Sequence, residues 1–188
     1  MANSTGPESN GPLGFDPTVI DVAVTAGAAL PAAGISQIGP RYALGTIVAD
    51  RNGTSYMYVK NTGAAIAQYT WCTIDETFAV SAGTRANATK MWQVGIPQMS
   101  GGIPAGSTTN QFCWVFCGPG AGSVLTLSAT TSLVPLYTST STGLTASVAA
   151  NDYRLMGARL TAAGPASASG AAAIFADQQM WTWNAVNF

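Results

Sequence analysis

The sequence predicts an all-β protein: a small β-barrel or sandwich with an extended N-terminal arm and an aromatic C-terminal tail. Three observations lead there. Between residues 42 and 164 the chain breaks into segments of five to eight residues rich in Val, Thr, Tyr and Trp, separated by Gly- or Ser-rich stretches. One pair of segments flanks Asn52-Gly53, a dipeptide that tolerates the positive φ of a type I′ hairpin turn. No stretch of that region carries a convincing helical period.

Residues 1–40 form the arm. Pro7, Pro12, Pro17, Pro31 and Pro40, with six glycines among them, disfavour helix in the first twenty residues. One strand is expected at Val19–Thr25, and the arm either packs on a partner or frays. Residues 41–164 form the β-domain. "ALGTIVAD" and "TSYMYVK" make the hairpin, followed by "QYTWCTI", "TFAVS", "KMWQVGIPQ" and, after the loop "MSGGIPAGSTTN", by "NQFCWVFC". "GPGAGS" is read as a wide hairpin turn, because no lysine follows to make it a phosphate cradle. "GSVLTLS", "LVPLYTS" and "YRLMGARLTAAG" complete the set. Short helices have room at Ala82–Thr89 and Ala146–Asp152. Residues 165–188 close the chain as a last strand or a docking tail. "MWTWNAV" alternates like a strand, with Trp181 and Trp183 on one face.

Phe112–Cys117 is apolar on both faces, Phe112, Trp114 and Phe116 on one and Cys113, Val115 and Cys117 on the other, which suits a strand covered on both sides. Four steps of about 3.3 Å put Cys113 and Cys117 about 13 Å apart, beyond disulfide reach. Cys72 is the only other cysteine and there is no histidine, so buried thiols are the reading preferred over a metal site. A bridge from Cys72 to Cys113 or Cys117 is the alternative.

Without histidine, Ser-His-Asp and Cys-His catalysis are excluded. The carboxylates are Glu8, Asp16, Asp21, Asp50, Asp75, Glu76, Asp152 and Asp177, and no motif pairs them. Asp75-Glu76 is read as capping a turn. No enzyme activity, cofactor or metal is expected.

The charged fraction is 8%, against roughly 25% in average domains, and the net charge is −1. From Met91 to Asn151 no residue is charged. No basic patch offers itself to nucleic acid or a membrane. Such a surface is expected to face a neighbouring protein, or else to be a neutral Ser/Thr coat. The start, "MANSTGPESNGPLG", has neither the basic nor the apolar region of a secretory signal. Sequons at Asn3, Asn52 and Asn87 carry no weight without that route, and three cysteines suit a reducing compartment.

Five pieces stand in order: the Tyr-x-Tyr-Val strand at Tyr56–Val59, Val-Gly-Ile at Val94–Ile96 and the aromatic strand ending in glycine at Phe112–Gly118. Pro-Leu-Tyr-Thr-Ser…Gly at Pro135–Gly143 and the glycine-containing strand at Leu155–Leu160 follow. Together they resemble the capsid cement, or head decoration, proteins of tailed bacteriophages. The resemblance covers residues 42–164. It departs where Phe112-Cys113 precede Trp114 in place of Tyr-Gly. It implies a homotrimer that binds the major capsid protein on the outer surface of an icosahedral head, made in the host cytoplasm, and that braces the shell. The expected anchors are Phe15, Val19, Ile20 and Val22 in the arm and Trp181, Trp183 and Phe188 in the tail. The alternative for the tryptophans is that they plug the barrel. The competing function is a receptor-binding or fibre-type module that stacks a glycan on its aromatic side chains.

Overall fold

Runs of alternating β-branched and aromatic residues bounded by glycine become strands where each finds a neighbour to hydrogen-bond. The computed structural model describes residues 20–22, 40–90, 92–106, 110–126, 135–138, 145–146, 153–161 and 170–184. Within them the strands are β1 (Asp21–Val22), β2 (Ile47–Ala49), β3 (Ser55–Asn61), β4 (Cys72–Ile74), β5 (Ala79–Ala82) and β6 (Gln93–Gly95). They continue as β7 (Gln111–Phe116), β8 (Gly120–Thr126), β9 (Pro135–Thr138), β10 (Thr145–Ala146), β11 (Tyr153–Leu160) and β12 (Gly170–Asn184). One helical turn, α1 (Arg85–Ala88), interrupts them. The protein is all-β, as its sequence predicts.

All twelve strands belong to one mixed sheet in the order β1-β7-β3-β5-β4-β6-β12-β11-β9-β10-β8, with β2 added on β3. The pairs β3–β5 and β8–β10 are parallel and the others antiparallel. β8 also pairs with β12, so the path folds back on itself over that half. The outermost strand, β1, has a partner only in β7 among the described residues, and the sheet as a whole is not closed.

Two apolar clusters result. Met57 and Val59 of β3, Cys72 and Ile74 of β4, Val80 of β5 and Cys113 and Val115 of β7 share one, with Cys117 just past β7 and Ile66, Met99 and Ile103 from loops. Tyr56, Tyr58, Phe112, Trp114 and Phe116 from the opposite face of β3 and β7 join the other, against Val124, Leu136, Leu155, Ile174 and Met180. β7 is buried at all six positions, so the strand apolar on both faces is covered on both. The halves are tied by a polar link too. The Gln98 amide donates from Nε2 to Ser123 O at 2.9 Å and accepts Ser123 N–H at Oε1 at 2.9 Å, as a neighbouring strand would. Asn61, fully buried, donates to Ala64 O (2.9 Å) and Pro104 O (2.7 Å) and accepts Gly63 N–H (3.0 Å), which fixes two loops at once.

Two expectations are corrected. The β2–β3 connection is not a two-residue type I′ turn. Gly53 has φ +78° and Asn52 does not have positive φ. The turn closes through Gly53 N–H to Asp50 O at 3.0 Å, and the Asp50 carboxylate takes the N–H groups of Asn52 and Thr54, each at 2.8 Å. The aspartate ahead of the dipeptide therefore selects a longer loop with one left-handed glycine. Nor is Gly118–Ser123 a hairpin: β7 and β8 are not neighbours in the sheet. Gly118 (φ +75°) and Gly120 (φ +121°) instead carry the chain from one strand group to the other, where a Cβ would run into the Gln178 carbonyl and the Thr54 backbone. The helix expected over Ala82–Thr89 is α1, capped by Thr84 Oγ1 on Asn87 N–H (3.1 Å); of the other, residues 147–152 lie outside the described residues.

Asp75 does cap the β4–β5 turn. Its Oδ1 accepts Thr77 N–H (2.8 Å), the Thr77 hydroxyl (2.8 Å) and Ala79 N–H (3.0 Å). Burial works to raise this carboxyl, but the Thr77 hydroxyl, the two N–H groups and nearby Lys60 outweigh it, so it sits below its ordinary 3.8. A carboxyl depressed by folding adds stability above its unfolded value and loses it as the pH falls through its folded value. Asp75→Ala is therefore expected to lower the urea midpoint at neutral pH, with the gap from wild type closing in acid. A gap that does not change with pH would contradict this.

Candidate interaction surface

The side chains that the sheet leaves facing water are the ones open to a partner. Alternation along β12 sends Ala172, Ile174, Ala176, Met180 and Thr182 inward and Ala171, Ala173, Phe175, Asp177 and Trp181 outward. Phe175 keeps 38% of its surface exposed and Trp181 43%. Between the pairs Met156↔Trp181 and Ala158↔Ala176, β11 supplies only Gly157, at φ +84°, while β12 supplies residues 177–180. This bulge sits between the two outward aromatics and sets the angle between their stretches of strand. Arg159 stands opposite Phe175 and reaches Asp177 at 3.7 Å, both side chains being exposed. An exposed pair of this kind contributes little to stability and leaves the patch locally neutral. Trp181 also pairs with Gln93 of β6 across its other edge, so it stands where the two strand groups join.

Among the described residues the third exposed large apolar side chain is Ile47 at 44%, on β2, which pairs only with β3 there.

The sequence-predicted anchors are distributed as follows. Ile20 is half-buried and packs against the cluster of Met57, Val59 and Cys113. Val22 lies in β1 beside Gln111. Trp181 is exposed on the sheet and so is not a plug of the core. Trp183 is in β12, opposite Arg154. Phe15, Val19 and Phe188, and the side chains of Val22 and Trp183, lie outside the described residues. The tail is thus a strand over 170–184. Sequence reasoning missed Phe175 and Ile47; the alternation in "AAAIFAD" was the available signal, masked by the small residues around it.

A scan against protein-family models finds no match, and a search of curated proteins finds no relative.

Among the described residues no group of three or more His, Cys, Asp or Glu side chains is placed to hold a metal. The cysteines are free and buried. Cys72 Sγ donates to Gly95 O at 3.1 Å and Cys117 Sγ to Ser55 O at 3.6 Å. Burial pushes both thiols up to about 12. A thiol in that state is a poor nucleophile at neutral pH. Maleimide is therefore expected to label none of the three in the native protein and all of them in urea. Rapid labelling of any one without denaturant would contradict the burial of β4, of β7 or of Cys117 just beyond it.

Proposed function

We propose that this chain is a structural virion protein that binds the outer surface of an icosahedral phage head, as a trimer, and stabilises the shell by bridging capsid subunits. The observation that carries the reading is the placement of Phe175 and Trp181 on the outward face of a strand whose inner face is core. The low charge of the chain and the resemblance over residues 42–164 support it.

The mechanism is binding thermodynamics. A protein that binds the assembled shell and not its dissociated subunits stabilises the shell by mass action. Repeated contacts over a lattice add up even when each is modest. A glycan-binding fibre module is the second reading, favoured by the exposed indole of Trp181. Quantitative mass spectrometry of purified virions separates them. A ratio near one copy per shell subunit is the expected result. A handful of copies moves the protein to the tail or fibre, and absence from particles overturns both readings.

A further inference from the structure

The β2–β3 turn holds a reactive dipeptide in a particular way. Asn52 and Gly53 are both exposed, and nothing lies within 4 Å of where a Gly53 Cβ would stand, so no other part of the chain packs over that side of Gly53. Three N–H groups of the turn are nevertheless committed to Asp50. Gly53 N–H goes to the Asp50 carbonyl (3.0 Å), and Asn52 and Thr54 N–H go to the Asp50 carboxylate (2.8 Å each). Asp50 N–H in turn donates to Thr54 O at 2.8 Å, which closes the loop.

We propose that Asn52 is a latent site of spontaneous amide-to-acid conversion, held in check by Asp50. In the reaction the Gly53 nitrogen attacks Asn52 Cγ and loses its proton. The Cγ–Nδ2 bond breaks and ammonia leaves, giving a five-membered imide. Water then opens either carbonyl of the imide, giving aspartate or isoaspartate, with no change in oxidation state. The nucleophile is the deprotonated glycine nitrogen. Its N–H is tied to a carbonyl, and a carboxylate three residues earlier disfavours a second negative charge there. The native turn therefore withholds the attacking atom, and local opening releases it. Conversion would place a new carboxylate beside Asp50. The isoaspartate form would also lengthen the backbone inside a turn that sets the register of Ile47, Val48 and Ala49 against β3.

The test is peptide mapping by mass spectrometry of the full chain held warm at neutral pH, resolving aspartate from isoaspartate and Asn52 from the second Asn-Gly pair, Asn10-Gly11. In folded protein Asn52 is expected to convert about tenfold more slowly than in the same chain in urea, the factor that one ordinary hydrogen bond withholds. Asp50→Ala keeps the carbonyl but deletes the carboxylate that closes the turn through Asn52 and Thr54, so the turn is expected to open and recover most of that factor; Asp50→Asn, which keeps an acceptor and loses only the charge, is expected to recover less. Equal rates in the folded and unfolded wild type overturn the proposal, as does a folded Asp50→Ala variant that stays slow. Amide exchange of Gly53 in the wild type tests it without any variant. Protection is expected, and exchange at the unfolded rate refutes it.

Discussion

Trp114→Ala is expected to lower the free energy of unfolding by about 3–5 kcal/mol, measured by urea denaturation. Trp114 is 2% exposed, in the middle of a strand with neighbours on both edges and a core on both faces. Its ring lies 4.9 Å from that of Tyr58, its partner across the β3–β7 ladder, and 5.1 Å from Tyr42, which also meets Tyr58 edge-on at 5.3 Å. Tyr58 in turn stacks on Phe112 at 6.3 Å. Removing the indole deletes two of these four ring contacts and leaves a cavity. The ladders on either side hold the strand in place, so the cavity cannot collapse. Against a typical total of about 5–15 kcal/mol, that loss is a large share of the stability. Trp181→Ala serves as the control. The same residue type at an outward position is expected to change stability by no more than about 0.5 kcal/mol. Equal losses at the two tryptophans would contradict the assignment of inner and outer faces.

Alanine at both Phe175 and Trp181 is expected to leave the urea midpoint unchanged and, on the function proposed above, to strip the protein from particles. Aromatic anchors at the centre of an interface contribute about 2 kcal/mol or more each, so one substitution weakens a contact about 30-fold and both together weaken it further. The assay is occupancy on decoration-free heads titrated with purified protein. The Arg159–Asp177 pair beside Phe175 provides a second reading of the same surface. If it stays at the rim, Arg159→Ala changes occupancy little and mainly alters its salt dependence. Undiminished occupancy of the double variant would move the contact away from β12. Ile47, on the exposed edge next to the Asp50 turn, would then be the next side chain to test.

What could be read from the chain follows from how local each signal is. The alternation in "NQFCWVFC" has a short period and needs no partner to be seen. Two apolar faces on six residues already imply cover on both sides, and β7 has it. Asp75 capping its turn is equally local, since all its bonds reach no further than four residues on. The Asn52-Gly53 turn was legible as a turn and misjudged in type, because Asp50, outside the dipeptide, controls its hydrogen bonds. Gly118–Ser123 was misjudged more deeply. A glycine-rich break says that the chain turns, but whether the next strand returns beside the last depends on residues far away, here Thr54 and Gln178.

The sequence by itself determined that the protein is all-β in class, that its thiols belong inside and that it carries few charges. Those properties belong to side chains and their spacing, which exist before the chain folds. Only the tertiary structure decided that the last strand lies between β6, β8 and β11, that Asn61 locks two loops, and that Phe175 and Trp181 face outward while Trp114 does not. Strand pairing joins residues far apart in the chain. A strand's alternation fixes which residues share a face, but not which neighbour will cover that face.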